Sequence, residues 1–170
     1  MTTESIATAP GRSRSLLARL VGTRTASPEA DVALVVVRVA LAWIFIYYGG
    51  AKLFGWFDGG GISGTADFMS DTAHLNPGGF FAVLGGVIEL GGAIALILGI
   101  GSRLFALALV GDQIMAMITV TWTNGLHSQT VHAGYEINVA LAALALVVVL
   151  VGAGRFSVDA LVERRIAASE

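Results

Sequence analysis

The chain has 170 residues and a net charge of −2, and it is 55% hydrophobic but only 13% charged, about half the charged share of an ordinary soluble domain. At a mean hydropathy of +0.78, a water-soluble fold of this length would lack polar surface to cover itself, which leaves an integral membrane protein in contact with a lipid bilayer. The absence of cysteine excludes disulfide exchange, thiolate nucleophiles and iron–sulfur ligation, and no basic face suits a nucleic acid.

Residues 1–30 are rich in Ser, Thr, Ala and Arg without a sustained apolar period, the composition of a disordered, basic arm. Within it, SRSLLARLVG sets Leu16, Leu17, Leu20 and Val21 at helical spacing among arginines, compatible with a short helix on an anionic leaflet or with a plain basic tail. The first apolar run, Val32–Phe54, starts too late for a secretory signal and has no cleavage motif after it, so it reads as a retained span. Further spans are expected at Phe80–Ile100, Leu104–Trp122 and Glu136–Val151. All are continuously apolar, not alternating, which selects helices over membrane strands. The expected fold is all-α: a four-helix transmembrane bundle over residues 31–155.

Between the first two spans, residues 55–79 are too long for a simple turn. TADFMSDTAHL has the pattern of an amphipathic segment, and Asn76-Pro77 marks the start of the next span. GGGISG at 59–64 matches G-x-G-x-x-G formally but has no strand before it, so it reads as a flexible loop. Gly101-Ser102 joins the second and third spans tightly enough to impose an antiparallel hairpin. His127 and His132, in the third connector, have no cysteine or H-E-x-x-H beside them, so no metal site is expected. After the fourth span, residues 156–170 form a tail in which Ser157 is placed to cap a short surface helix. Eight of the ten basic residues fall on one side if both termini are cytoplasmic, the orientation that Lys and Arg bias favours.

Ionisable residues inside spans are costly and usually face the bundle interior. Arg38, Glu89 and Asp112 are those residues. Counting helical rise puts Glu89 and Asp112 near the midplane, within reach of a long arginine. A buried cluster is therefore expected in which Arg38 pairs with Glu89, with Asp112 and Gln113 adjoining. Such a cluster either locks helix register or handles protons, and its net charge of −1 calls for one protonated acid or a bound donor. Glu89 sits in GGVIELGG, where Gly85, Gly86 and Gly92 allow a neighbouring helix to approach closely. A second cluster, at the outer interface, groups Tyr48, Lys52, Tyr135 and Glu136, with Lys52 and Glu136 at similar depth. Its aromatic residues suit an interfacial belt or the walls of a pocket for a quinone-like or lipid headgroup.

These residues in this order resemble the DoxX family of small bacterial membrane proteins. The resemblance rests on RVALAWIFIYYGGAKLFGWF, GISGTADF, PGGFFAVLGGVIELGGAIALILGIGSRL and GYEINVALAALALVVVLVGAGRFSVD, and runs over about residues 32–160. Its family-like positions are Arg38, Gly49, Lys52, Glu89, Gly91, Gly92, Arg103, Tyr135, Glu136 and Asp159, whereas Asp112-Gln113 lies outside the pattern. The resemblance implies a four-helix bundle in the bacterial plasma membrane. It also implies a subunit or partner of a redox or oxidative-stress system, quinone-linked and not catalytic alone, with a membrane or peripheral oxidoreductase as partner. A small transporter or proton relay, a scaffold for peripheral enzymes, and a homo-oligomer are the other arrangements the sequence leaves open.

Overall fold

The computed structural model describes residues 27–127 and 134–168. Among these, six α-helices and no strand occur: α1 (Pro28–Phe54), α2 (Gly61–Asp71), α3 (Gly78–Leu98), α4 (Ser102–Ala116), α5 (Glu136–Val151) and α6 (Val158–Ala168). The expected basic arm at 1–30 lies almost wholly outside the described residues.

Ser27 starts α1: its hydroxyl accepts the Ala30 amide at 3.3 Å, and Pro28 occupies the first turn, where its missing N–H costs nothing. The helix α1 is long enough and apolar enough to cross a membrane, as is α3. So is α4 with its continuation, a π-helical stretch (Met117–Thr121) and a final 3-10 turn, over Ser102–Asn124. The fourth apolar helix, α5, has 16 residues. Four expected spans thus become three helices of full length and one shorter apolar helix.

Gly99 and Gly101, both left-handed at φ 69° and 54°, turn the chain between α3 and α4, a conformation L side chains resist. The helix α1 packs chiefly on α3, and α4 on α5. Leu41 and Phe45 of α1, Leu96 of α3, Leu109 of α4, and Leu141 and Val148 of α5 close one buried core. Outward, Val36, Trp43, Leu107, Ile118 and Leu150 are exposed, an apolar surface of the kind that lipid solvates.

The first connector is more ordered than its glycines suggest. Gly59 packs against Ala51, and the GGGISG stretch, expected as a flexible loop, runs from Gly61 into α2. That helix contains most of the expected amphipathic segment and packs on α3. At the other end of the bundle, Ser157 caps α6 by accepting the Ala160 amide at 3.2 Å, as its place in the sequence suggested. The tail is held there by two acids: Asp31 of α1 accepts the Arg155 amide at 2.9 Å, and Asp159 accepts the Gly101 and Ser102 amides at 2.8 and 3.0 Å. The start of α1 and the tail therefore meet at one end of the bundle, called here the terminal end.

Candidate functional site: a buried ion pair beside an apolar cavity

The position of Glu89 is set by a close crossing of α1 and α3. A Cβ on Gly49 would lie 2.9 Å from the Leu90 Cβ and 3.1 Å from the Glu89 Cβ, so only a glycine permits this approach. One turn later in α1, Lys52 reaches Glu89 and its ammonium forms an ion pair with Oε1. The Glu89 side chain is 3% exposed and that of Lys52 24%, so the carboxylate depends on this cation for compensation.

Arg38 does not pair with Glu89. Its Nε donates to the Leu96 carbonyl at 2.7 Å and its Nη2 to that of Ile97 at 2.9 Å, while Nη1 donates to Ala153 at 2.8 Å and Phe156 at 3.0 Å. It thereby caps the C-terminus of α3 and ties down the tail. The physical reason is register: Gly49 lies against Glu89 and Leu90, so Arg38, three turns earlier in an antiparallel helix, faces the last turn of α3. Helical rise gives depth within each helix but not where two helices cross.

Asp112 of α4 lies beside Glu89. The two carboxyl groups are in hydrogen-bonding contact, and Asp112 Oδ1 lies 3.7 Å from where a Cβ on Gly85 would be. Gln113 adjoins too, its amide donating to Asp112 Oδ2 at 3.0 Å. The file continues through residues that sequence reasoning had missed. Asn138 Nδ2 donates to Gln113 Oε1 at 3.0 Å, and Thr121 Oγ1 donates to Asn138 Oδ1 at 2.9 Å. Asn138 was detectable as a polar residue within the apolar α5; Thr121 was not, because it arrives through the π-helical stretch that ends α4.

The expected outer cluster separates into two places. Lys52 turns inward to Glu89, and Glu136 meets His127 Nδ1 at 2.9 Å instead. Tyr135 stacks on Trp122 with ring centroids 5.2 Å apart, whereas Tyr48 stays beside Lys52 on the wall of a small pocket of about 240 Å³. His132 lies outside the described residues.

Lys52 and Asp112 also border a larger cavity of about 410 Å³, within the size range of small-molecule sites. Phe68 and Met69 of α2, Phe81 and Leu84 of α3, and Met115 of α4 are among its apolar walls. Gly85 and Gly111 contribute space by lacking side chains. The site is thus an apolar chamber with one cation and one acid in its wall, between helices of a membrane protein.

The sequence model of the DoxX family matches residues 33–122, which carry Lys52, Glu89 and Asp112. The chain belongs to the DoxX family. No curated protein and no solved structure matches it significantly.

Proposed function

We propose that this DoxX-family membrane protein is a non-catalytic subunit of a quinone-linked redox system in a bacterial plasma membrane. In this reading the cavity bordered by Lys52 and Asp112 holds the ring of an isoprenoid quinone. The cavity is the observation that carries the reading. Its apolar walls suit a ring and prenyl chain, the Lys52 ammonium is a hydrogen-bond donor suited to a quinone carbonyl, and Asp112 can accept from a hydroxyl. When bound, such a group would supply two-electron, two-proton redox chemistry. Lys52 orients its head, Phe68 and Met69 shield it from water, and Glu89 holds Lys52 in place. The oxidoreductase partner supplies the electron-donor site, since the chain has no cysteine.

The reading includes four membrane crossings with both termini in the cytoplasm, residues 31–155 forming the bundle and 156–170 a cytoplasmic tail. Arg103, Arg155 and Arg165 at the terminal end support that orientation. The proton-relay alternative is weaker, because the file from Asp112 to Thr121 passes through two carboxamides. These donate and accept but do not readily hand on a proton.

The test is gentle detergent purification followed by mass spectrometry of bound lipids, repeated on Gly111→Leu. Gly111 borders the cavity, and a Cβ there meets nothing within 4 Å, so a side chain can start there without displacing the backbone, and leucine supplies the bulk to take up cavity space. Co-purified quinone in the wild type, at least tenfold depleted in a normally folded Gly111→Leu, is the expected result. Absence of quinone, or retention unchanged in the variant, would overturn the reading.

A further inference from the structure

The buried acids contain an unfilled requirement. Glu89 is 2% exposed, and one of its oxygens, Oε1, is taken by Lys52. The other, Oε2, is buried with no hydrogen-bond donor among the described residues. Asp112 is the side chain in contact with Glu89 on the α4 side, and its own Oδ2 is occupied by the Gln113 amide. Ionised carboxylates only accept, so two of them in hydrogen-bonding contact have nothing to share.

We infer that Glu89 and Asp112 hold one proton between them, forming a proton-binding site whose open face is the wall of the cavity. Charge balance supports this independently of the contact. The ammonium of Lys52 and two carboxylates would leave a net negative charge among apolar helices, a costly arrangement. One proton makes the trio neutral and gives the orphaned Oε2 its partner. Among the described residues, the other charged groups of the packed helices do not relieve the pair. Arg38 is bound to carbonyls at the terminal end, α5 brings the uncharged Asn138, and Asp67 and Asp71 of α2 are exposed.

The division of labour follows from position. Asp112 borders the cavity and Glu89 does not, so Asp112 is the member that meets an occupant and Glu89 is the reserve behind it. Gln113, Asn138 and Thr121 are positioning residues: each donates toward the next and the file ends on Asp112, fixing which oxygen remains for the proton. This inference does not depend on the occupant being a quinone.

The experiment is infrared spectroscopy of the full chain in lipid nanodiscs at neutral pH. A single C=O stretching band of a protonated, deuterium-exchangeable carboxyl is expected, abolished by Glu89→Gln and by Asp112→Asn alike. Either substitution lets the remaining acid pair with Lys52 as a carboxylate. No such band in the wild type, or a band that survives in either variant, would overturn the inference. If both variants misfold, side-chain 13C labelling of the wild type decides: the band shifts with labelled glutamate or aspartate, and a band moved by neither label refutes the site.

Discussion

Arg38 directs its guanidinium at four backbone carbonyls, from Leu96 and Ile97 in α3 and from Ala153 and Phe156 in the tail. Hydrogen bonds from a charged donor are worth about 1.5–3 kcal/mol each, and a buried acceptor left unmade costs more than the mean. Arg38→Met is therefore expected to destabilise the protein by about 3 kcal/mol or more, read as thermal unfolding in detergent. Arg38→Lys should rescue little, because a point cation cannot reproduce the planar fork. Since Arg38 and Glu89 share no hydrogen-bond partner among the described residues, the cost of Arg38→Met should add to that of Glu89→Gln within about 0.5 kcal/mol. A coupling well above that would restore the ion pair the sequence suggested. Glu89 announced its need for a partner by standing in an apolar run. The partner was not legible, because Lys52 sits at the end of its helix, where the sequence groups it with Glu136 at the outer interface, and it reaches back to Glu89 instead.

At the scale of elements, the glycines around Glu89 have different duties. Gly49 fixes the crossing of α1 with α3, and Gly92 receives the Leu109 side chain, which would lie 3.0 Å from an added Cβ. Gly91, beside it, has nothing within 4 Å. Gly49→Ala should cost about 1–3 kcal/mol through overpacking, whereas Gly91→Ala should be neutral or stabilising by up to about 1 kcal/mol. Equal effects in a thermal unfolding assay would remove the crossing as the cause. The helices themselves were legible from apolar runs, as were the α3–α4 hairpin and the Ser157 cap. The connector was not: three consecutive glycines signal freedom, yet Gly59 is packed on Ala51 and α2 covers the cavity. A π-helical stretch has no composition of its own, which hid Thr121, although such widened turns recur at functional sites.

For the whole molecule, the shortest of the four apolar helical segments poses the sharpest question. The 16 residues of α5 make a helix of about 24 Å, less than the roughly 30 Å of a typical hydrocarbon core. Thinning of the bilayer beside it, or snorkelling of flanking residues, accommodates such a shortfall. Arg103 donates to the Val149 and Val151 carbonyls at 3.1 and 3.3 Å, so the C-terminal carbonyls of α5 already have a partner within the protein. The proposed topology is directly testable because the chain has no native cysteine. A cysteine at Asp67 should react with a membrane-impermeant maleimide in intact cells, and one at Leu161 only after permeabilisation. The reverse pattern would invert the orientation, and reaction of both sites from the same face would rule out the three crossings by α3, α4 and α5 that the proposal places between them.

The tail's hold on Arg38 has a consequence for the order in which the protein is made. Two acceptors of this arginine, Ala153 and Phe156, lie 115 and 118 residues downstream of it. All four acceptors follow α1 in the chain, Leu96 and Ile97 by 58 and 59 residues from Arg38 and the other two by about twice that, so the guanidinium gains its partners in two stages as the chain is made. A chain truncated before Ala153 would lack both tail acceptors for good, leaving Arg38 Nη1 without the two carbonyls it reaches in the folded protein.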